Sequence, residues 1–284
     1  MILKGIYKNK SLSFCVILLF LLIICSFCVT YIISSIIVGY SNITSIYEYS
    51  PQSLIILKWV QILNGVGLFI IPSMLYVYLT DLKINIKPIN RQSVLLVIAI
   101  ILCINPIIYV LHQFNQLLPL PEWLLMYEKT AQKLTNMLLD MQSQRDLITN
   151  ILALALIPAI AEELFFRGVL QRLIIIRTKN IHTGIIITAM IFSAVHMQFH
   201  GFLPRFLLGM ILGYFFVFSD SLTLPIIAHF FNNAMVIFFT YPAFSKYVYF
   251  DQTEIIFSEF LVAVLLVSLL SYLLYRNLQN YSSR

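Results

Sequence analysis

Long runs of apolar residues dominate the chain and are separated by short polar segments. At about 1.5 Å of rise per residue, a helix of about 20 apolar residues crosses about 30 Å of hydrocarbon. The pattern predicts eight such spans, at 12–38, 54–80, 93–112, 147–166, 183–198, 203–219, 224–242 and 255–275. We therefore predict an all-α fold, a polytopic transmembrane helical bundle of about eight spans.

The segment 120–145 breaks this pattern. It mixes Leu and Met with charged residues at helical spacing, namely Glu122, Glu128, Lys129, Lys133, Asp140 and Arg145. The spacing predicts an amphipathic helix that lies in the membrane interface. A short helix outside the membrane, packed on its neighbours, explains the same pattern equally well.

Composition and charge support a membrane protein. Hydrophobic residues make up 60% of the chain and charged residues 11%, so a soluble fold could not cover its own surface. The net charge of +6 comes from basic clusters at the ends of apolar runs, and we expect no nucleic-acid partner. Clusters in 81–92, 167–182 and both terminal segments predict cytoplasmic termini. The opposite loops, with Glu48 in one and Lys246 with Asp251 in another, lack a basic excess.

Ionisable residues inside the apolar spans are concentrated in the second half of the chain. Each costs about 2.5–3.5 kcal/mol at a helix centre, so each requires a reason. The polar residues in question are Glu162, Glu163, His196, His229, Asn232 and Asn233. The first three spans hold almost no titratable residues, which indicates a scaffold in the first half and a site in the second.

The two glutamates of the fourth span occupy different helical faces. Glu163 and Arg167 are four residues apart and can pair, whereas Glu162 points about 100° away. A poorly solvated carboxylate is suited to act as a general base. Taken alone, these three residues are explained equally well by structural bridges between helices.

The two histidines and Asn233 each allow a catalytic and a structural interpretation. His196 alone is more typical of a hydrogen-bonded interface residue than of a catalyst. His229 and Asn233, four residues apart, project two donors from one helical face, which could stabilise an oxyanion or join helices. Gly209 and Gly213 form a Gly-x-x-x-Gly motif that indicates close helix packing.

Three motifs, in order, resemble the CAAX protease and bacteriocin-processing family of intramembrane endopeptidases, which includes the eukaryotic prenyl-protein endopeptidase. They are Glu162-Glu163-x-x-x-Arg167, Phe192-x-x-x-His196 and His229-x-x-x-Asn233. The resemblance covers roughly 147–240 and implies hydrolysis of a peptide bond.

The resemblance also implies roles for these residues. Glu162 would activate a water molecule, and His196 would hold and polarise it. His229 and Asn233 would stabilise the tetrahedral oxyanion. Glu163 with its arginine partner would organise the residues around the water.

The expected cofactor is none, with zinc as the alternative. One Glu and two His could bind zinc, and the family was long described as metal-dependent. However, the chain lacks a His-Glu-x-x-His motif, and a glutamate–histidine mechanism needs no ion. The expected partners are the lipid bilayer and a peptide or protein substrate; a lipidated substrate is implied only by the eukaryotic relative.

The predicted organisation has three parts. Residues 1–146 form a transmembrane scaffold with the interfacial helix, 147–242 the catalytic core, and 243–284 the last transmembrane helix with a cytoplasmic tail. We expect a multi-pass protein of a bacterial plasma membrane. A non-proteolytic immunity or scaffold protein of the same fold is the main alternative. A proton-coupled transporter is less favoured because the first half shows no second copy of the Glu/His pattern.

The proposed site requires a long fourth helix. If that helix ended at Arg167, Glu162 would lie near the cytoplasmic edge, whereas His196 lies about 20 Å into the next span. The two residues can meet only if the helix continues through Gly168 toward Arg177. We predict this longer, tilted helix.

Overall fold

The computed structural model describes residues 3–40, 51–245 and 257–282, and these ranges contain helices and no β-strand. The all-α prediction is therefore confirmed. Three residues used in the charge argument lie outside the described ranges: Glu48, Lys246 and Asp251.

Ten helices are present in the described ranges. They are α1 (Leu12–Tyr40), α2 (Ser53–Thr80), α3 (Arg91–Gln116), α4 (Glu122–Leu139), α5 (Gln144–Thr178), α6 (Ile181–Ala194), α7 (Phe202–Ser219), α8 (Thr223–Thr240), α9 (Pro242–Ser245) and α10 (Phe257–Ser282). Seven of them are long and apolar enough to cross a membrane: α1, α2, α3, α5, α7 together with the turn before it, α8 and α10. The chain is an integral, multi-pass membrane protein.

The predicted fifth span, 183–198, is wrong in extent. Its helix, α6, has 14 residues and ends at Ala194. At 1.5 Å per residue, this length covers about 21 Å, less than the thickness of the hydrocarbon. The chain then turns through Met197, whose φ of 53° lies in the left-handed region that ends helices. As a result, His196 follows the helix rather than lying within it.

The prediction of a long fourth helix is confirmed. α5 runs for 35 residues without interruption and passes through Gly168. A Ser143–Asp146 capping box satisfies its first turn, and Lys179 in a left-handed conformation ends it. Glu162 consequently lies near the middle of the helix, where it can meet residues of α8.

The α4 segment is helical, as its spacing predicts. Leu124, Met137 and Leu138 bury its apolar face, and Glu128 bonds to the backbone that precedes α7. The helix therefore packs on its neighbours. Its position in a membrane interface stays a prediction.

The basic segment 81–92 contacts α5 and the residue that follows α7. Arg172 donates to the backbone carbonyl of Lys83, and Lys87 Nζ lies 2.6 Å from Asp220 Oδ2. Hydrogen bonds from Lys87 and Asn85 hold the pKa of the Asp220 carboxyl below its ordinary value. The side of the membrane that this segment faces stays a prediction.

Glycine allows α6 and α7 to approach closely. A Cβ atom added at Gly209 would lie 3.0 Å from Ala189 Cβ and 3.1 Å from its Cα. We expect Gly209→Ala to lower the free energy of unfolding by about 1–3 kcal/mol, because the helices must separate to admit the methyl group. Denaturant titration in detergent would measure the change. Gly39→Ala is the control, since nothing lies within 4 Å of its added Cβ; equal effects at both positions would contradict the close packing.

Candidate functional site

The candidate site contains a buried ion pair on α5. Arg167 Nη1 lies 2.7 Å from Glu163 Oε1, and both side chains are 0% exposed. Arg167 also donates to the Gly209 carbonyl of α7 at 2.8 Å, and its guanidinium lies 4.9 Å from the centre of the Phe192 ring on α6. The predicted pairing is confirmed. The arginine also ties α5 to two further helices.

His229 of α8 lies between the two glutamates. Its Nδ1 lies 2.8 Å from Glu163 Oε1, and its Nε2 lies 3.9 Å from Glu162 Oε2. A carboxylate on Nδ1 fixes the orientation of the ring and the proton on that nitrogen. The Nε2 atom therefore faces Glu162.

Glu162 has different surroundings from its neighbour. Its side chain is 14% exposed, and its Oε2 is buried without a hydrogen bond from any described residue. The 3.9 Å separation from His229 Nε2 is too long for a direct hydrogen bond. Glu163 Oε2 also lacks a hydrogen bond from a described residue, but Glu163 Oε1 is held by Arg167 and His229. One oxygen of Glu162 is left for another ligand.

His196 joins the group through an aromatic ring. Its Nδ1 lies 2.8 Å from the Phe192 carbonyl oxygen and donates to it, which leaves Nε2 as the free nitrogen. The Phe192 ring centre lies 5.1 Å from that of His196 and 5.8 Å from that of His229. Both imidazoles therefore pack against one phenyl ring.

Asn233 lies one turn after His229, but its contacts are outside this cluster. Its Nδ2 donates to the Leu154 carbonyl at 3.4 Å, and its Oδ1 accepts from Asn232 at 3.2 Å. Both His229 and Asn233 contact α5, which agrees with the prediction that they share one helical face. One amide hydrogen of Asn233 is used by the α5 backbone.

Sequence reasoning missed the bond between His229 and Glu163. The spacing assigned Glu163 only to Arg167, which is four residues away on the same helix. His229 is 66 residues further along the chain, and nothing local relates the two positions. Only the packing of α8 on α5 could reveal the contact.

The described residues do not fit a zinc site. No group of three or more His, Cys, Asp or Glu side chains in the described ranges is arranged to hold a metal ion. Structural and catalytic zinc sites need at least three protein ligands at about 2.0–2.3 Å. The Nδ1 atoms of His196 and His229 are engaged by a carbonyl and a carboxylate, so only their Nε2 atoms could bind a metal ion.

A comparison with known proteins agrees with the motif analysis. Residues 144–235 match the family model described as type II CAAX prenyl endopeptidase Rce1-like. The matched stretch begins with α5 and includes all three motifs, so the resemblance to this family of intramembrane endopeptidases is confirmed. No curated protein and no solved structure matches the chain.

Proposed function

We propose that this protein is an intramembrane endopeptidase in which Glu162 activates the attacking water. The observation that carries the proposal is the placement of Glu162 Oε2 3.9 Å from His229 Nε2 within the packed helices. One water molecule at about 2.8 Å from each atom would contact both. The Glu163–Arg167 pair supports this arrangement because it fixes the other nitrogen of His229.

In the first step, Glu162 removes a proton from the water as the water oxygen attacks the carbonyl carbon of the substrate. His196 accepts a hydrogen bond from the same water through its free Nε2. The carbonyl π bond opens and yields a tetrahedral oxyanion. Glu162 then passes its proton to the amide nitrogen, the C–N bond breaks, and a carboxylic acid and an amine are released.

The oxyanion is stabilised from α8. Glu163 holds Nδ1 of His229, so Nε2 faces Glu162 and the reaction centre. When this nitrogen carries a proton, it donates to the oxyanion. The second amide hydrogen of Asn233, which the Leu154 carbonyl does not use, supplies the other donor.

A lipid-modified peptide is the substrate class that we favour. The matched family description names prenyl endopeptidases. An apolar cavity of about 480 Å³ lies between α3 and α8 and would accept a lipid chain. Phe230 and Ala234, which contribute to it, are adjacent in sequence to His229 and Asn233.

The test is cleavage of labelled peptides by the purified protein in detergent or liposomes. The panel pairs each farnesylated peptide with its unmodified form, and mass spectrometry identifies the new ends. We expect the farnesylated forms to be cleaved with the lower KM. No cleavage of any peptide by folded protein would reject the peptidase and favour a non-proteolytic scaffold or immunity role.

The same assay tests metal dependence. We expect turnover to be unchanged after incubation with a chelator and dialysis, because the described side chains do not gather three zinc ligands. The rate before and after treatment is the measurement. Turnover that is lost with chelator and restored by zinc would contradict the metal-free mechanism.

A further inference from the structure

The segment that carries His196 is irregular. Residues 195–201 join α6 to α7 through two turn residues and a short 3-10 turn. Met197 adopts a left-handed conformation, which is unfavourable for residues other than glycine. The side chain of His196 hydrogen-bonds to the carbonyl of Phe192 on the preceding helix, α6, so contacts with other helices must fix the position of the segment.

Glu128 of α4 makes the largest set of these contacts. Its Oε2 accepts hydrogen bonds from the backbone N–H groups of Phe199, at 2.7 Å, and His200, at 3.4 Å. Its Oε1 lies 3.8 Å from His200 Nδ1. The Glu128 side chain is 16% exposed, and a carboxylate that accepts backbone N–H bonds at such a site forms strong, charge-assisted interactions.

Asn115 of α3 holds the same segment from a second direction. Its Nδ2 donates to the Phe199 carbonyl, at 2.5 Å, and its Oδ1 accepts from the backbone N–H of Leu203, at 3.0 Å. Asn115 is 3% exposed. On the α7 side, Arg205 donates to the side chain and the carbonyl of Gln198.

We infer that Glu128 is a positioning residue, which holds the 195–201 segment and thereby fixes the position of His196. Asn115 holds the same segment. This inference rests on the proposed function. Both residues lie outside the stretch 144–235 that matches the family model. On this inference, the amphipathic helix α4 contributes to the active site because it holds the segment that carries His196.

The physical reason is the precision that hydrolysis requires. A displacement of about 1 Å in a reacting group can reduce the rate by about 100-fold. Removal of the Glu128 carboxylate frees two backbone N–H groups three and four residues from His196. The segment then has other conformations of similar energy, and the imidazole no longer holds the water in a fixed place.

The experiment compares Glu128→Gln and Glu128→Ala with Glu122→Ala in the full-length protein. Glu122 is the matched control because it is an exposed glutamate on the same helix. We expect kcat to fall about 10-fold for Glu128→Gln, which keeps one acceptor oxygen, and about 100-fold for Glu128→Ala, with KM unchanged. Glu122→Ala should retain the wild-type kcat.

Hydrogen exchange of residues 195–203 provides a readout that does not need turnover. We expect the amides of Phe199 and His200 to exchange faster in Glu128→Ala than in Glu122→Ala. If Glu128→Ala does not fold, Glu128→Gln is used for the comparison, and Asn115→Ala is the second variant.

The outcomes separate this inference from the proposed function. If the wild type cleaves peptides and both Glu128 variants keep its kcat, the positioning role is wrong. If the wild type cleaves nothing, the peptidase proposal fails, and exchange decides whether Glu128 holds the segment. Equal exchange at residues 199 and 200 in the Glu128 and Glu122 variants would overturn the inference in either case.

Discussion

Glu162→Gln is expected to remove peptide hydrolysis while the fold is kept. The amide has the shape of the carboxylate but cannot take a proton from water, and positioned general bases contribute about 10²–10⁴-fold to a rate. Glu162 Oε2 accepts no hydrogen bond from a described residue, so the substitution breaks no hydrogen bond at this oxygen. The midpoint of thermal unfolding should therefore stay close to that of the wild type.

The measurement is kcat/KM for one labelled peptide in detergent, with unfolding followed in the same preparation. Glu259→Gln is the control because Glu259 is an exposed carboxylate on α10, remote in sequence from the three motifs. A Glu162→Gln enzyme with wild-type turnover would show that another group activates the water. A cellular phenotype that survives a complete loss of hydrolysis would favour the scaffold or immunity role.

Arg167→Met is expected to lower the free energy of unfolding by about 3–5 kcal/mol, the largest effect on stability that we predict. The substitution leaves Glu163 charged at a position that is 0% exposed, with its 2.7 Å partner removed. Removal of one partner of a buried ion pair costs this amount because the remaining carboxylate has lost its counter-ion and keeps only the hydrogen bond from His229. The α7 carbonyl of Gly209 also loses its hydrogen bond.

The double variant Glu163→Leu, Arg167→Met separates stability from activity. Replacement of both charged partners by apolar groups is often neutral, so most of the lost stability should return. Activity should not return, because His229 no longer has the carboxylate that fixes its ring.

Titration with a denaturing detergent measures the free energy of unfolding of Arg167→Met and of the double variant. Arg177→Met is the control, because this exposed arginine on the same helix should change stability by no more than about 0.5 kcal/mol. If Arg167→Met were as stable as Arg177→Met, the buried pair would have no structural role.

Two confirmed sequence predictions came from different arguments. The Glu163–Arg167 pair follows from four residues of separation on one helix, and the length of α5 follows from the requirement that Glu162 reach the depth of a later histidine. The prediction for 183–198 was wrong in extent, because hydropathy does not register the turn at Met197 that ends α6 early. The division at residues 147 and 242 stays a prediction.

The sequence by itself determined that the bilayer is the solvent of this protein and that the chain resembles a family of intramembrane endopeptidases over one stretch, residues 144–235. Apolar length and helical periodicity are properties of neighbouring residues, and they can be read along a chain. Only the tertiary structure decided that His229 bonds to Glu163 and that Glu128 bonds to the segment of His196. These pairs are 66 and 71–72 residues apart, and the packing of separate helices, which local periodicity does not encode, brings them together.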